Sequence, residues 1–342
     1  MEAVGKTRPE PGLTRFDAQM PTPGPGQVLI EVESASVCGT DYGLADWTES
    51  AAVWGSQLPL IMGHEYCGRI IEVGPGVTTR SVGQRVAGES HASCGKCTAC
   101  QRDARHNCLK LWIPGVSHNG AFASHVAVPE SACFPLDDRI GEEAVLFESA
   151  GVAIHAIQQA GDVAGRTCLI TGAGPVGLFL VSALKAMGAG QIAVLEPNRL
   201  RRDRAGSLGA ATFDVHQNDD LVAFCKEQSA MNGADIGFEV SGAASAYGTL
   251  FGALGLESTL VSVGHASQPV QVNISRDVNL RVLNWKGVYG RRIWSSWELL
   301  QELVLDGRMD LASFLEGEFH ISDLPTSLDE IKSLPGKVLV RP

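Results

Sequence analysis

The stretch Arg166–Glu196 constrains the fold more than any other part of the chain. Thr167-Cys-Leu-Ile-Thr171 is a short, β-branched apolar run that reads as a buried strand. Gly172-Ala-Gly174-Pro-Val176-Gly177 follows at once. An apolar helix over Leu178–Met187 comes next, stopped by Gly188 and Gly190, and a second strand, Gln191–Leu195, ends in Glu196. Each part has a physical task in holding a dinucleotide. Gly172 permits the tight turn, Gly174 lets backbone approach a pyrophosphate, and Gly177 lets helix and strand pack closely. The helix N-terminus faces the phosphate charge, and Glu196 stands where a carboxylate accepts ribose hydroxyls. A lone G-x-G-x-x-G is often only a turn; strand before, helix after and acid at the next strand end make this one a cofactor motif.

The chain of 342 residues is long enough for one large or two ordinary domains. With 44% apolar and 19% charged residues it is a folding rather than a disordered sequence. A net charge of −11 argues against nucleic acid or an anionic membrane as partner. No apolar run approaches the roughly 20 residues of a membrane span. The start, Met1-Glu2, shows no basic segment leading into an apolar one, so no export signal and a cytoplasmic location are expected.

Four of the nine cysteines fall between Cys94 and Cys108. Cys94-Gly-Lys-Cys97-Thr-Ala-Cys100 lets one backbone knuckle aim three thiolates at a tetrahedral centre, and Cys108 closes the fourth position. Free or disulfide-linked cysteines are the alternative, but metal ligation in a reducing compartment fits the spacing better. Four thiolates leave no open position, so this zinc is expected to be structural. Cys38, His64 and Glu65 form a second candidate set. Singly, each reads equally well as a core cysteine, a satisfied histidine and a surface acid; together they suit an open catalytic zinc site.

Taken in order, the first part reads as β-rich. It has a strand at Gln27–Glu33, a loop with short helical turns over Leu44–Ser56 containing Trp47 and Trp54, and short strands at Gly68–Val73, Gly83–Ala87 and Ala121–Val128. This is the pattern of a partly open barrel. A helix is expected over Glu142–Ala160. After Glu196, helix and strand alternate to Thr259–Val263, as in a doubly wound parallel sheet, with Gly264-His265 and Val288-Tyr289 at strand ends where ligands bind. From about Arg291 the chain returns to the first domain. The expected division is 1–152 with 291–342 as a zinc-binding catalytic domain, and 153–290 as the nucleotide-binding domain.

Val37-Cys-Gly-Thr-Asp41, Gly63-His-Glu-Tyr-Cys-Gly68, Gly88-Glu-Ser-His91-Ala-Ser-Cys94-Gly-Lys-Cys97, Gly120-Ala-Phe-Ala-Ser, Gly172–Gly177 and Lys286-Gly-Val-Tyr-Gly-Arg291 together resemble a zinc-dependent medium-chain dehydrogenase. Within that superfamily the chain most resembles the L-threonine 3-dehydrogenases, with Lys286–Arg291 and Trp297 close to their signature. The resemblance implies a Rossmann-type sheet joined to a GroES-like barrel with a structural zinc lobe, and NAD-dependent oxidation of a small secondary alcohol. It implies one catalytic zinc on Cys38, His64 and Glu65, and one structural zinc per chain. Glu148 is implied as a further ligand or relay carboxylate, Thr40 as the start of the proton relay, and His91 as a residue of the substrate pocket. For NAD it implies the glycine turn with Val176, then Glu196, Arg201, Val263 to His265, Val288 and Tyr289. A homo-oligomer, tetramer or dimer, is also implied. Two positions depart from the pattern: Gly43 stands where the family has a relay histidine, and Val152 follows Gly151 where the threonine enzymes have asparagine. A polyol, amino-polyol or aminocyclitol is therefore the alternative substrate. A non-catalytic NAD-binding protein is the alternative of another class, against which the intact Cys38/His64/Glu65/Thr40 set argues.

Overall fold

The computed structural model describes residues 1–48, 56–266 and 268–342; the expected turns around Trp54 lie outside them. The chain divides into two units: Met1–Ser149 with Arg292–Leu305 and Asp310–Pro342, and Ala150–Arg291 with Asp306–Met309.

In the first unit, inward-facing Val28, Ile30, Val32 and Ala35 make β3 (Gln27–Ser36) the central strand of its sheet. Before it come β1 (Glu2–Lys6) and β2 (Thr14–Asp17); after it come α1 (Gly39–Ala45), β4 (Leu60–Ile61), β5 (Glu65–Val73), β6 (Arg85–Gly88), α2 (Thr98–Gln101), β7 (His125–Pro129) and β8 (Cys133–Pro135). Late in the chain α8 (Ser295–Leu305), β15 (Leu315–His320), α9 (Leu324–Ser333) and β16 (Lys337–Arg341) belong to the same unit. One sheet runs β15-β16-β3-β5-β6-β8 with β7 also on β3, and a smaller one runs β2-β1-β4. The core between them gathers Val4, Ile30, Ile70, Phe122 and Val340.

The second unit holds β9 (Cys168–Thr171), α4 (Pro175–Ala186), β10 (Ile192–Leu195), α5 (Arg199–Ser207), β11 (Ala211–Phe213), α6 (Asn218–Glu227), β12 (Ala234–Glu239), α7 (Ala246–Ala253), β13 (Leu254–Ser262) and β14 (Asn284–Gly287). The sheet order is β11-β10-β9-β12-β13-β14, all parallel. This is the doubly wound order, in which the chain reverses direction across the sheet beside β9. The expected Rossmann-type architecture is therefore present.

Two local expectations change. The helix α3 spans Phe147–Ala160, while Glu142–Leu146 forms a tighter 3-10 turn, a common start for an α-helix. Only His125–Val128 of the expected Ala121–Val128 strand joins β3, in a strand that runs on to Pro129. The Ala121 and Phe122 N–H groups instead donate to Gly63 and Met62 carbonyls, which ties that segment to the chain entering β5.

Candidate functional site

The first unit brings Cys38, His64 and Glu65 together: one ligand atom from each lies within 4.8 Å of the others. Cys38 caps α1, its N–H donating to Asp41 Oδ2 at 2.9 Å. Gly63 makes the bend that delivers His64 and Glu65. It has φ +88°, and a Cβ there would stand 2.5 Å from the Phe122 ring. Thr40, in the first turn of α1, has its hydroxyl 4.0 Å from Cys38 Sγ.

Two buried groups that sequence reasoning missed surround this set. Asp41 is fully buried, with Oδ1 3.7 Å from His64 Nδ1. Burial raises its carboxyl pKa, with His64 opposing. Lys337, the first residue of β16, ion-pairs Glu65 and donates to the Val37 carbonyl at 2.6 Å. Burial works against its charge, but Glu65 and then Cys38 outweigh it and hold its pKa above the ordinary value. The same holds for His64: burial opposes protonation, yet Asp41, then Cys38, and more weakly Glu148 keep it high. Glu148, in the first turn of α3, is thus close enough to act on both.

These features fit a zinc ion. Glu65 Oε1 is buried without a hydrogen-bond partner and His64 Nδ1 has only Asp41 Oδ1 at 3.7 Å, an expensive state for polar atoms unless something else satisfies the group. The local field favours a cation, and thiolate, imidazole and carboxylate leave a fourth position open. Asp41 had a faint sequence signal, as the acid closing a capping box on Cys38. Lys337 had none, because 300 positions separate it from Val37.

Cys94, Cys97, Cys100 and Cys108 also converge, their sulfurs within 4.8 Å of one another and none in a disulfide. Cys97 caps α2. Main-chain N–H groups of Cys100 and then Leu109 bring the Cys97 thiol down to about 6. Cys94 and Lys110 N–H groups each point at Cys108 Sγ, at 3.3 Å. Burial pushes Cys100 up to about 12, with the Cys97 and Cys108 sulfurs adding to it. Such N–H···S bonds stabilise thiolates, the form a metal takes.

His91 leaves the end of β6 and is buried. Its Nδ1 lies 3.0 Å from Ser90 Oγ and 3.3 Å from Glu89 Oε1.

In the second unit the glycine turn has the expected form. A Cβ on Gly177 would stand 2.1 Å from the Gly172 carbonyl oxygen, whereas one on Gly174 would meet nothing within 4 Å. Gly174 caps α4 and Pro175 opens it, leaving Val176 in the first turn. Glu196 follows β10, as expected. Its carboxylate also does something unforeseen: Oε2 accepts the Ala173 N–H at 2.7 Å and Oε1 the Asn198 N–H at 2.8 Å. Each oxygen keeps a second lone pair beyond these bonds. The Arg201 N–H donates to Asn198 Oδ1. Arg202 is tied to the Glu196 and Pro197 carbonyls and to Asp214.

Val263 and Gly264 follow β13, both N–H groups donating to the Glu239 carbonyl. Val288 and Tyr289 follow β14, and the Tyr289 ring lies edge-on to His265 at 6.3 Å. Glu239, at the end of β12, is a further residue the sequence did not reveal. Its buried carboxylate accepts N–H groups from Ser241 and Gly242 and the Thr171 hydroxyl, joining the turns after β9 and β12.

Residues 24–138 match the sequence family described as Alcohol dehydrogenase GroES-like domain, and residues 175–306 match Zinc-binding dehydrogenase. The chain is similar to an L-threonine 3-dehydrogenase of Pectobacterium atrosepticum, with 32% identity over 99% of this chain and 94% of that one. A zinc-binding dehydrogenase of Sinorhizobium meliloti, solved bound to NADP, has 25% identity and a TM-score of 0.87, covering 100% of this chain and 99% of its own. An alcohol dehydrogenase of Escherichia coli CFT073, solved with NADH, shares the fold at 21% identity and a TM-score of 0.89, with the same coverage.

Proposed function

Because the chain belongs to the zinc-binding alcohol dehydrogenases, we propose that it oxidises a secondary alcohol to a ketone with NAD, the 3-hydroxyl of L-threonine or a similar amino alcohol being the leading substrate. The observation that carries this is the convergence of Cys38, His64 and Glu65 beside Thr40, with buried polar atoms that a metal would satisfy. When bound, zinc supplies Lewis acidity and NAD accepts the hydride. The chain's own residues do the rest. Cys38, His64 and Glu65 hold the catalytic metal, and Asp41 and Lys337 hold His64 and Glu65 in place. Thr40 takes the hydroxyl proton outward, and Glu148 and His91 are the further groups that move protons or orient the alcohol. Cys94, Cys97, Cys100 and Cys108 hold a structural zinc.

Gly172, Gly174, Val176 and Gly177 cradle the pyrophosphate. Glu196 and Arg201 take the adenosine end, and Val263, Gly264, His265, Val288 and Tyr289 the nicotinamide end. In this reading residues 1–152 and 291–342 make the catalytic domain and 153–290 the NAD domain. The protein works in the cytoplasm as a homo-oligomer, a tetramer or dimer, where zinc thiolates stay reduced. Among the described residues no helix is long and apolar enough to cross a membrane. A second reading, a polyol, amino-polyol or aminocyclitol substrate, is favoured by Gly43 and Val152, which depart from the threonine pattern.

The deciding experiment follows NADH formation with L-threonine, L-serine, sorbitol, inositol and aminocyclitols. L-Threonine turned over fastest supports the first reading, and a polyol or aminocyclitol turned over fastest moves it to the second. Turnover of none would overturn both.

A further inference from the structure

The chain after β6 carries a buried acid that none of the roles above uses. Glu89 is fully buried, and both its main chain and its side chain are anchored. Its N–H donates to the Ala132 carbonyl at 2.7 Å, just before β8. One carboxylate oxygen, Oε2, accepts the indole N–H of Trp297 at 2.8 Å. The other, Oε1, accepts the His91 main-chain N–H at 2.8 Å and faces His91 Nδ1 at 3.3 Å. Trp297 is itself immobilised. It is fully buried on α8, with the rings of Phe134, Trp294 and Phe147 at centroid distances of 5.2, 5.7 and 6.0 Å. An aromatic cluster therefore fixes the indole, the indole fixes the carboxylate, and the carboxylate faces the imidazole.

We propose that Glu89 is the positioning residue for His91, turning Nδ1 inward and presenting Nε2 to a hydrogen-bond donor on the substrate. The Ser90 hydroxyl, 3.0 Å from Nδ1, can donate or accept, but the Glu89 carboxylate at 3.3 Å only accepts, so the pair together favour the proton on Nδ1. Nε2 of the neutral ring is then an acceptor. The chemistry it recognises is a hydroxyl or ammonium donor next to the reacting carbon. A ring held this way loses little freedom when substrate binds, whereas a free imidazole has two tautomers and two flips to choose among. The inference rests on the reading that His91 lines the alcohol pocket.

A double-mutant cycle tests it, with L-threonine and NAD as substrates of the zinc-loaded protein. E89Q keeps an oxygen for the Trp297 indole but replaces the acceptor that faces Nδ1 with an amide NH2, which only donates. Expected are a fall of at least tenfold in kcat/KM for L-threonine, a KM for NAD within twofold of wild type, and unchanged zinc content. H91A is expected to lose as much, and E89Q/H91A no more than H91A alone, because both changes remove one function. W297F, which frees the carboxylate without touching it, is expected to lose activity in the same direction and serves if E89Q does not fold. A readout independent of turnover is the imidazole 15N spectrum, with the His91 signal identified by its loss in H91A. Wild type should show the Nδ1–H tautomer, and E89Q a mixture.

Additive losses in the cycle, or an E89Q variant with wild-type kinetics and tautomer beside an impaired H91A, would overturn the role of Glu89. Wild-type L-threonine kinetics in H91A would instead remove His91 from the pocket. That result sinks the pocket reading first and the proposal with it.

Discussion

At Glu196 a single carboxylate has two tasks. It braces the glycine turn through the Ala173 N–H, and in the proposed function its remaining lone pairs accept a ribose hydroxyl. A 2′-phosphate there would meet a like charge and lose the hydroxyl hydrogen bond, a difference of a few kcal/mol. NAD should therefore exceed NADP in kcat/KM by roughly tenfold to a thousandfold. Of the arginines that follow, Arg199 pairs with Asp203 and Arg202 is engaged by two carbonyls and Asp214. Equal kcat/KM values with the two cofactors would refute the assignment. Thr40 poses the other residue-scale question. Among the described residues a Cβ on Gly43 would meet only the Thr48 hydroxyl, at 3.6 Å, and glycine itself offers no group in place of the family's relay histidine. In the proposed function the Thr40 hydroxyl is then the fixed group that begins proton transfer. Thr40→Val should lower kcat by roughly a hundredfold or more, while Gly43→His should change it little. A Gly43→His enzyme with strongly raised L-threonine turnover would show that the usual relay had merely been weakened.

Among the elements, the turn from β9 into α4 separates what the fold needs from what the cofactor needs. Gly177 packs its Cα against the Gly172 carbonyl, where a methyl group cannot fit. Gly177→Ala should cost about 1–3 kcal/mol of stability, as overpacking does, and weaken NADH binding as well. Gly174 has open space around it. Gly174→Ala should leave the melting temperature nearly unchanged, since only a bound pyrophosphate would meet the new methyl. Thermal melts and NADH fluorescence titrations of the two variants check both outcomes. A Gly174→Ala protein that binds NADH as wild type does would remove the pyrophosphate from this turn. The long helix expected from Glu142 starts at Phe147 for a related reason of local geometry, since periodicity does not distinguish a 3-10 entry turn from the α-helix that follows.

For the molecule as a whole, the two sulfur-containing sets predict two zinc ions per chain with different consequences of loss. Cys38→Ser should abolish turnover and leave a folded protein with about one zinc per chain, because an open site is dispensable to the fold. Cys97→Ser should lower thermal stability, because a metal on the four converging sulfurs would tie Cys94 to Cys108 and with three ligands is held less well. Atomic-absorption analysis with melting curves distinguishes the two, and wild type without zinc would overturn both. The sequence by itself determined the parts whose chemistry is local. Cys94, Cys97 and Cys100 are spaced for a knuckle, Gly172 to Gly177 make a turn between a strand and a helix, and Glu196 ends the next strand. In each case neighbours in the chain are neighbours in space. The tertiary structure alone decided the groups that come from far away. Lys337 reaches Glu65 only once β16 is seated in the sheet beside β3. Glu89 meets Trp297 across 208 positions of chain, and Glu239 meets Thr171 across two parallel strands. Lys337 and Glu239 stand in no motif, nothing in the motif around Glu89 points to Trp297, and burial gives each its role. Burial is a property of the packed sheet that no local pattern carries.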